Sequence, residues 1–133
     1  MANKIILTTG KRKSAIARAR LIDGTGKVTV NGLSLDSFQP EMARLKIQEP
    51  LILIGDSAKK FDIVLNVIGG GFMGQTSASR LAIARALVEK NEKFKEIFLS
   101  YDRQLLVADV RRKEQRKPNS HGNARAKRQK SYR

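Results

Sequence analysis

The chain has 133 residues, 27 Lys/Arg against 12 Asp/Glu, a formal charge of +15, and no cysteine. That length allows one domain and an appendage, and the missing thiols remove disulfides, thiolate metal sites and cysteine nucleophiles together. His121 stands alone, which leaves no histidine cluster for a metal or a triad, so neither catalysis nor a cofactor is expected. A basic excess of this size implies a polyanion partner, either nucleic acid or an anionic membrane surface. The membrane fits poorly: no helix pairs a basic face with a bulky apolar one, and no apolar run approaches the ~20 residues of a span. The opening MANKIILTTGKRK has too short an apolar patch for a signal peptide, so a soluble intracellular chain is expected.

Residues 4–9 (KIILTT) read as a β-strand rich in branched side chains. Gly10 opens a basic turn of Lys11, Arg12 and Lys13, and a second strand runs from Ala15 to Ile22. Period-2 alternation puts Ile16, Arg18, Arg20 and Ile22 on one face and Ala15, Ala17, Ala19 and Leu21 on the other. Arg18 and Arg20 are then either plain residues of a solvated sheet face or a phosphate comb; the pattern alone does not choose. Asp23 to Gly26 predicts a hairpin turn, with Lys27–Val30 returning as a third strand closed by Asn31-Gly32.

A helix is expected over about 40–48, with Pro40 at its first position and Pro50 stopping or kinking it. Phe61 to Ile68 (FDIVLNVI) is the strongest strand signal. A long helix follows over about 75–90, with an apolar stripe of Leu81, Ile83, Ala84, Leu87 and Val88 flanked by Arg80 and Arg85. A shorter one over about 92–101 carries Phe94, Phe98 and Tyr101 at spacings that suit packing.

Between that strand and that helix lies Gly69-Gly70-Gly71-Phe72-Met73-Gly74-Gln75-Thr76, the place where phosphate loops occur. Gly69, Gly71 and Gly74 satisfy GxGxxG, but no second strand ending in an acid follows, as a dinucleotide fold requires. In the alignment with GxxxxGK[ST], Gln75 stands where the phosphate-reaching lysine must be. A nucleotide-dependent enzyme is therefore disfavoured. What remains is an anion-friendly helix start, or glycines needed for a tight turn, and both can hold together.

The last 23 residues, RRKEQRKPNSHGNARAKRQKSYR, hold ten of the basic residues and one acid, Glu114. The body, residues 1–110, thus carries +6 and the tail, residues 111–133, +9. Such a segment cannot bury enough surface to offset the entropy of ordering. Extended, it reaches ~75 Å. Arginines punctuated by Gly, Ala, Asn and Ser suit an arm laid along nucleic acid better than a solubilising tail. A DNA-compacting protein would share the charge alone.

Three blocks together resemble a known family: Thr9 to Arg18 (TGKRKSAIAR), Gly69 to Gln75 continuing through Arg80 to Leu87, and the arginine-rich tail. Over essentially its whole length the chain resembles small-subunit ribosomal protein nine. Its ending, Gln129 to Arg133, is similar to the archaeal and eukaryotic branch. The resemblance implies an α/β (α+β) fold like the second domain of ribosomal protein five, a mixed sheet with a left-handed βαβ crossover, and an extended basic C-terminal tail. It implies a structural constituent of the small ribosomal subunit in the cytoplasm. Its partners would be the 3′ major domain of the ribosomal RNA in the subunit head, neighbouring head proteins, and peptidyl-site tRNA. Ribosomal-RNA contacts would fall on Lys11, Arg12, Lys13, Arg18, Arg20, Gly70, Gly71, Gln75, Arg80 and Arg85, and on Arg111, Arg112, Lys113, Arg116, Lys117, Arg125 and Lys127 of the tail. Arg128, Lys130 and Arg133 would face tRNA. Shape rather than sequence would be read, because the aromatic signature for stacking single-stranded bases is missing.

Overall fold

The computed structural model describes residues 4–119 and 124–125. A five-stranded mixed sheet is covered on one face by a long helix, on which two further helices pack. The strands are β1 (Ile6–Arg12), β2 (Ala15–Asp23), β3 (Val28–Val30), β4 (Leu33–Ser34) and β5 (Phe61–Ile68); the helices are α1 (Glu41–Ile54), α2 (Phe72–Lys90) and α3 (Lys93–Tyr101). The order across the sheet is β1-β2-β5-β3-β4. Only β3 and β5 are parallel, joined by the crossover through α1.

The expected β2–β3 hairpin does not form. β5 lies between the two strands, antiparallel to β2 from Asp23↔Phe61 to Ile16↔Ile68. An eight-residue strand with buried Phe61, Ile63, Leu65 and Val67 gains more from two neighbours than three-residue β3 could supply as a partner for β2. The segment 24–27 therefore passes over the end of β5. There Asp62 Oδ1 accepts backbone N–H bonds from Thr25 (2.8 Å), Gly26 (2.9 Å) and Lys27 (2.9 Å). These bonds, with that of Lys27 first, hold the Asp62 carboxyl below its ordinary value. A depressed folded pKa contributes stability above the unfolded value, and that stability is lost as pH falls through the folded one. This crossing should thus hold through the ordinary carboxylate range and release only as pH falls below it. The amide signals of Thr25, Gly26 and Lys27 in an NMR pH titration should move together; unmoved amides would contradict the assignment.

Alternation on β2 is as predicted: Ala15, Ala17, Ala19 and Leu21 are buried, while Arg18 and Arg20 are exposed. The small inward residues let α2 lie close on β1 and β2. At Gly10 an added Cβ would stand 2.2 Å from the Ala78 carbonyl oxygen, so only glycine fits. α2 is buried on most sides, between the sheet and α1, and its buried hydroxyls Thr76 and Ser79 donate to the carbonyls of Phe72 (2.7 Å) and Gln75 (2.8 Å). Leu81, Ile83, Ala84 and Leu87 of its predicted stripe are core residues.

Several boundaries differ from expectation. β1 runs on through Gly10, Lys11 and Arg12, which leaves a turn of only Lys13 and Ser14. α1 continues past Pro50 to Ile54 and stops at Gly55 (φ 63°); Pro40 precedes its first turn as the N-cap. Burial of Ile47, Pro50 and Ile54 against the core outweighs the hydrogen bond that proline cannot make. α2 begins three residues early, at Phe72. In α3, Phe94 and Phe98 are buried but Tyr101, in its last turn, faces solvent.

Candidate nucleic-acid interface

The β1–β2 turn is the first cationic element. Lys13 has positive φ (53°), and its side chain stands at the tip with Lys11 exposed behind it. Directly beneath sits the glycine junction. Gly69 and Gly70 are both left-handed (φ 75° and 65°), and a Cβ on Gly69 would meet the Ser14 carbonyl oxygen at 2.5 Å. Two blocks far apart in sequence thus form one structure. At Gly71, the N-cap of α2, nothing lies within 4 Å of where a Cβ would stand. Gln75 donates its Nε2 to the Gly69 carbonyl at 3.1 Å and so clips the loop to the helix. Gly69 and Gly70 accordingly serve the turn, while the open side of Gly71 leaves backbone accessible.

Lys13 and Ser14 also meet the start of the tail. With Arg111, Arg112 and Lys113 they line a concavity of about 630 Å³. Four basic residues and no acid line it, with the Arg111 guanidinium paired to Asp109 just outside the lining. This juxtaposition could not be read from the sequence, which separates the two cationic runs by about a hundred residues.

What holds the tail's root is Asp109, a residue that the sequence reading missed. Its side chain is 10% exposed and forms an ion pair with Arg12. On its other side it accepts from Arg111, whose Nε lies 3.1 Å and Nη2 2.9 Å from the carboxylate. The Arg111 amide donates to the same group at 2.9 Å. Asp followed two residues later by its own backbone partner is an Asx turn, a signal present in Asp109-Val110-Arg111.

Two further predicted contact residues are engaged inside the fold. Arg80 forms ion pairs with Glu49 of α1 and, at 3.2 Å, with Asp102 after α3. The Asp102 carboxyl is held below its ordinary value, mainly by the Gln104 amide and also by Arg80. Arg85 donates from Nη1 to the Thr9 carbonyl at 2.9 Å and, at 3.4 Å, from Nε to that of Leu106. Arg80 ties three helical segments together; Arg85 ties β1 to the segment leading into the tail.

The open sheet face presents rows set by strand register: Leu7–Arg20–Val64, Thr9–Arg18–Asn66 and Lys11–Ile16–Ile68. Arg18 and Arg20 stand there one repeat apart, roughly 6.7 Å along the strand. Residues 111–117 of the tail form no helix or strand, and Arg112, Lys113 and Arg116 are exposed. Arg125 pairs with Glu114, its Nε at 2.7 Å. Lys127, Arg128, Lys130 and Arg133 lie outside the described residues, as does His121. Among the described residues there is no group of acids or histidine able to hold a metal, and no helix long and apolar enough to cross a membrane.

A sheet backed by helices, a cationic hairpin packed on a glycine junction and a basic arm leaving beside it suit one class, the structural proteins of ribonucleoprotein particles. A family model described as ribosomal protein S9/S16 matches residues 10–133. Small ribosomal subunit protein uS9 of Pyrobaculum aerophilum is 48% identical over 132 residues, covering 98% of this chain and 92% of the relative. The protein of the same name from Methanococcus maripaludis (strain C7) is 47% identical over 133 residues, covering 98% and 99%. The chain belongs to the ribosomal protein S9/S16 family. As a member it is a structural constituent of the small ribosomal subunit, a cytoplasmic particle, and not an enzyme.

Proposed function

We propose that the chain binds the 3′ major domain of the small-subunit RNA in the subunit head, and reaches peptidyl-site tRNA with the end of its tail. The observation that carries this reading is the concavity where Lys13 of the hairpin meets Arg112, Lys113 and the Asp109-paired Arg111 of the tail root. A folded RNA brings phosphates from separate strands close together, and converging cations match that density. Lys11, Arg18 and Arg20 extend the cationic surface over the hairpin and open sheet face, and Arg12, paired with Asp109, meets RNA beside the tail root. Gly70, Gly71 and Gln75 shape the adjoining helix start. Arg80 and Arg85 act by holding this surface in place. Residues 1–110 form the body, and 111–133 an arm that orders as RNA folds around it. Arg116, Lys117, Arg125 and Lys127 continue along ribosomal RNA, and Arg128, Lys130 and Arg133 meet tRNA phosphates.

The full chain should bind an isolated 3′ major domain transcript at least tenfold more tightly than a 5′ domain transcript at physiological salt, a difference of about 1.4 kcal/mol. Equal affinities would instead support binding to polyanions at large. Deleting residues 130–133 should leave subunit assembly intact and weaken tRNA in the peptidyl site, read by filter binding. Assembly failing in parallel would place the tip's role in ribosomal-RNA folding.

A further inference from the structure

One face of the molecule does not fit phosphate binding. Residues 33–58 hold four acids and two bases in a chain of +15, and of the acids only Glu49 is taken up by α2, through Arg80. Both bases turn to the protein's own groups: Arg44 to Glu41 (3.6 Å) and the Asp36 carbonyl (3.1 Å), Lys46 to the Ser77 hydroxyl (3.3 Å). On the outer side of α1, Met42 is 72% exposed and Ile52 66%, with exposed Leu45 between them. Spacings of three and seven keep these three apolar side chains on one side of the helix. Beside Ile52 lies a groove of about 600 Å³ between α1 and the β3–β4 edge, with Val28, Leu35, Leu51 and Ala58 in its lining and Asp36 at its border. Lys27 and Lys59 also border it, but Lys59 is paired with Asp56 at 3.2 Å, and Lys27 stands close enough to Asp62 to favour its charged form.

An RNA strand laid here would meet carboxylates and would desolvate its phosphates against aliphatic carbon. A peptide with the opposite character would meet neither cost. We propose that the outer face of α1 and its groove dock a short segment of a neighbouring small-subunit protein. One apolar side chain of that segment packs on Ile52 and Leu51, and a nearby Lys or Arg reaches Glu41 or Asp36. The proposal rests on membership of the small subunit and is independent of which residues touch RNA.

Photo-crosslinking from within assembled subunits tests it. The full chain carrying benzoylphenylalanine in place of Leu45 is incorporated into small subunits, with the same group in place of Arg20 as a comparison. Position 45 should crosslink to a protein, and the mapped peptide should hold Lys or Arg within a few residues of a large apolar side chain. Adding Ile52→Arg, an exposed position where folding is spared, should lower that yield by about tenfold, the effect of losing one buried aliphatic contact. Crosslinks from position 45 to RNA, to a peptide without a basic residue, or to nothing in particles that carry the chain, would overturn the docking surface. Failure of the chain to sediment with small subunits at all would remove the membership beneath it, a result separate from the other three.

Discussion

Removing residues 111–133 should make the log–log salt dependence of RNA binding shallower by roughly 4–5 units, taking six of the ten tail cations as phosphate contacts. Each neutralised phosphate releases condensed counterions, so the slope counts contacts rather than contact quality. Over a fourfold rise in salt, the intact chain should lose roughly 250- to 1,000-fold more affinity than the truncated one. The expectation follows from the tail's composition and from its described start: Arg112, Lys113 and Arg116 are exposed, and residues 111–117 enter no sheet or helix. Of the seven tail cations assigned to ribosomal RNA, Arg125 is matched by the tail's one acid, Glu114, which leaves six for the count. A slope unchanged by truncation would mean that the arm does not lie along RNA.

Arg80→Met should cost about 2–3 kcal/mol of folding stability, read as a lower urea midpoint at unchanged m. Arg80 is 11% exposed and faces carboxylates from two other segments, Glu49 and Asp102. Methionine fills much of the same volume but leaves both acids without their cation. Breaking a fully buried pair costs about 3–5 kcal/mol; here the carboxylates keep 32% and 38% of their exposure, so water takes up part of the loss. RNA affinity of the folded variant should change little. The opposite pattern, intact stability with weakened RNA binding, would make Arg80 a phosphate contact after all.

Arg80 also shows what the sequence could and could not reveal. A basic residue beside an apolar stripe on a helix reads as surface, because the stripe predicts one buried side. α2 is buried on most sides, and its flanking arginine meets acids from segments that no local pattern connects to it. β2 was legible because alternation is local: Ala15, Ala17, Ala19 and Leu21 had to share a face whatever the partner strand. Its partner was not legible. The turn signal of Asp23 to Gly26 marks a change of direction, yet β5 takes the place beside β2 because a longer apolar strand gains more there, a comparison between segments about forty residues apart. The same holds for the interface. Lys13 and Arg112 each read as cationic positions, but only the folded chain brings them to one concavity, with Asp109 fixing where the tail departs.

The central claim is that the hairpin tip and the tail root act as a single RNA-binding surface. Replacing Lys13, Arg112 and Lys113 together by Gln tests it most directly, since none of the three is a core residue. The salt slope for the 3′ major domain transcript should fall by roughly 2–3 units with the urea midpoint unchanged. A slope equal to that of the unsubstituted chain, with folding intact, would contradict the account.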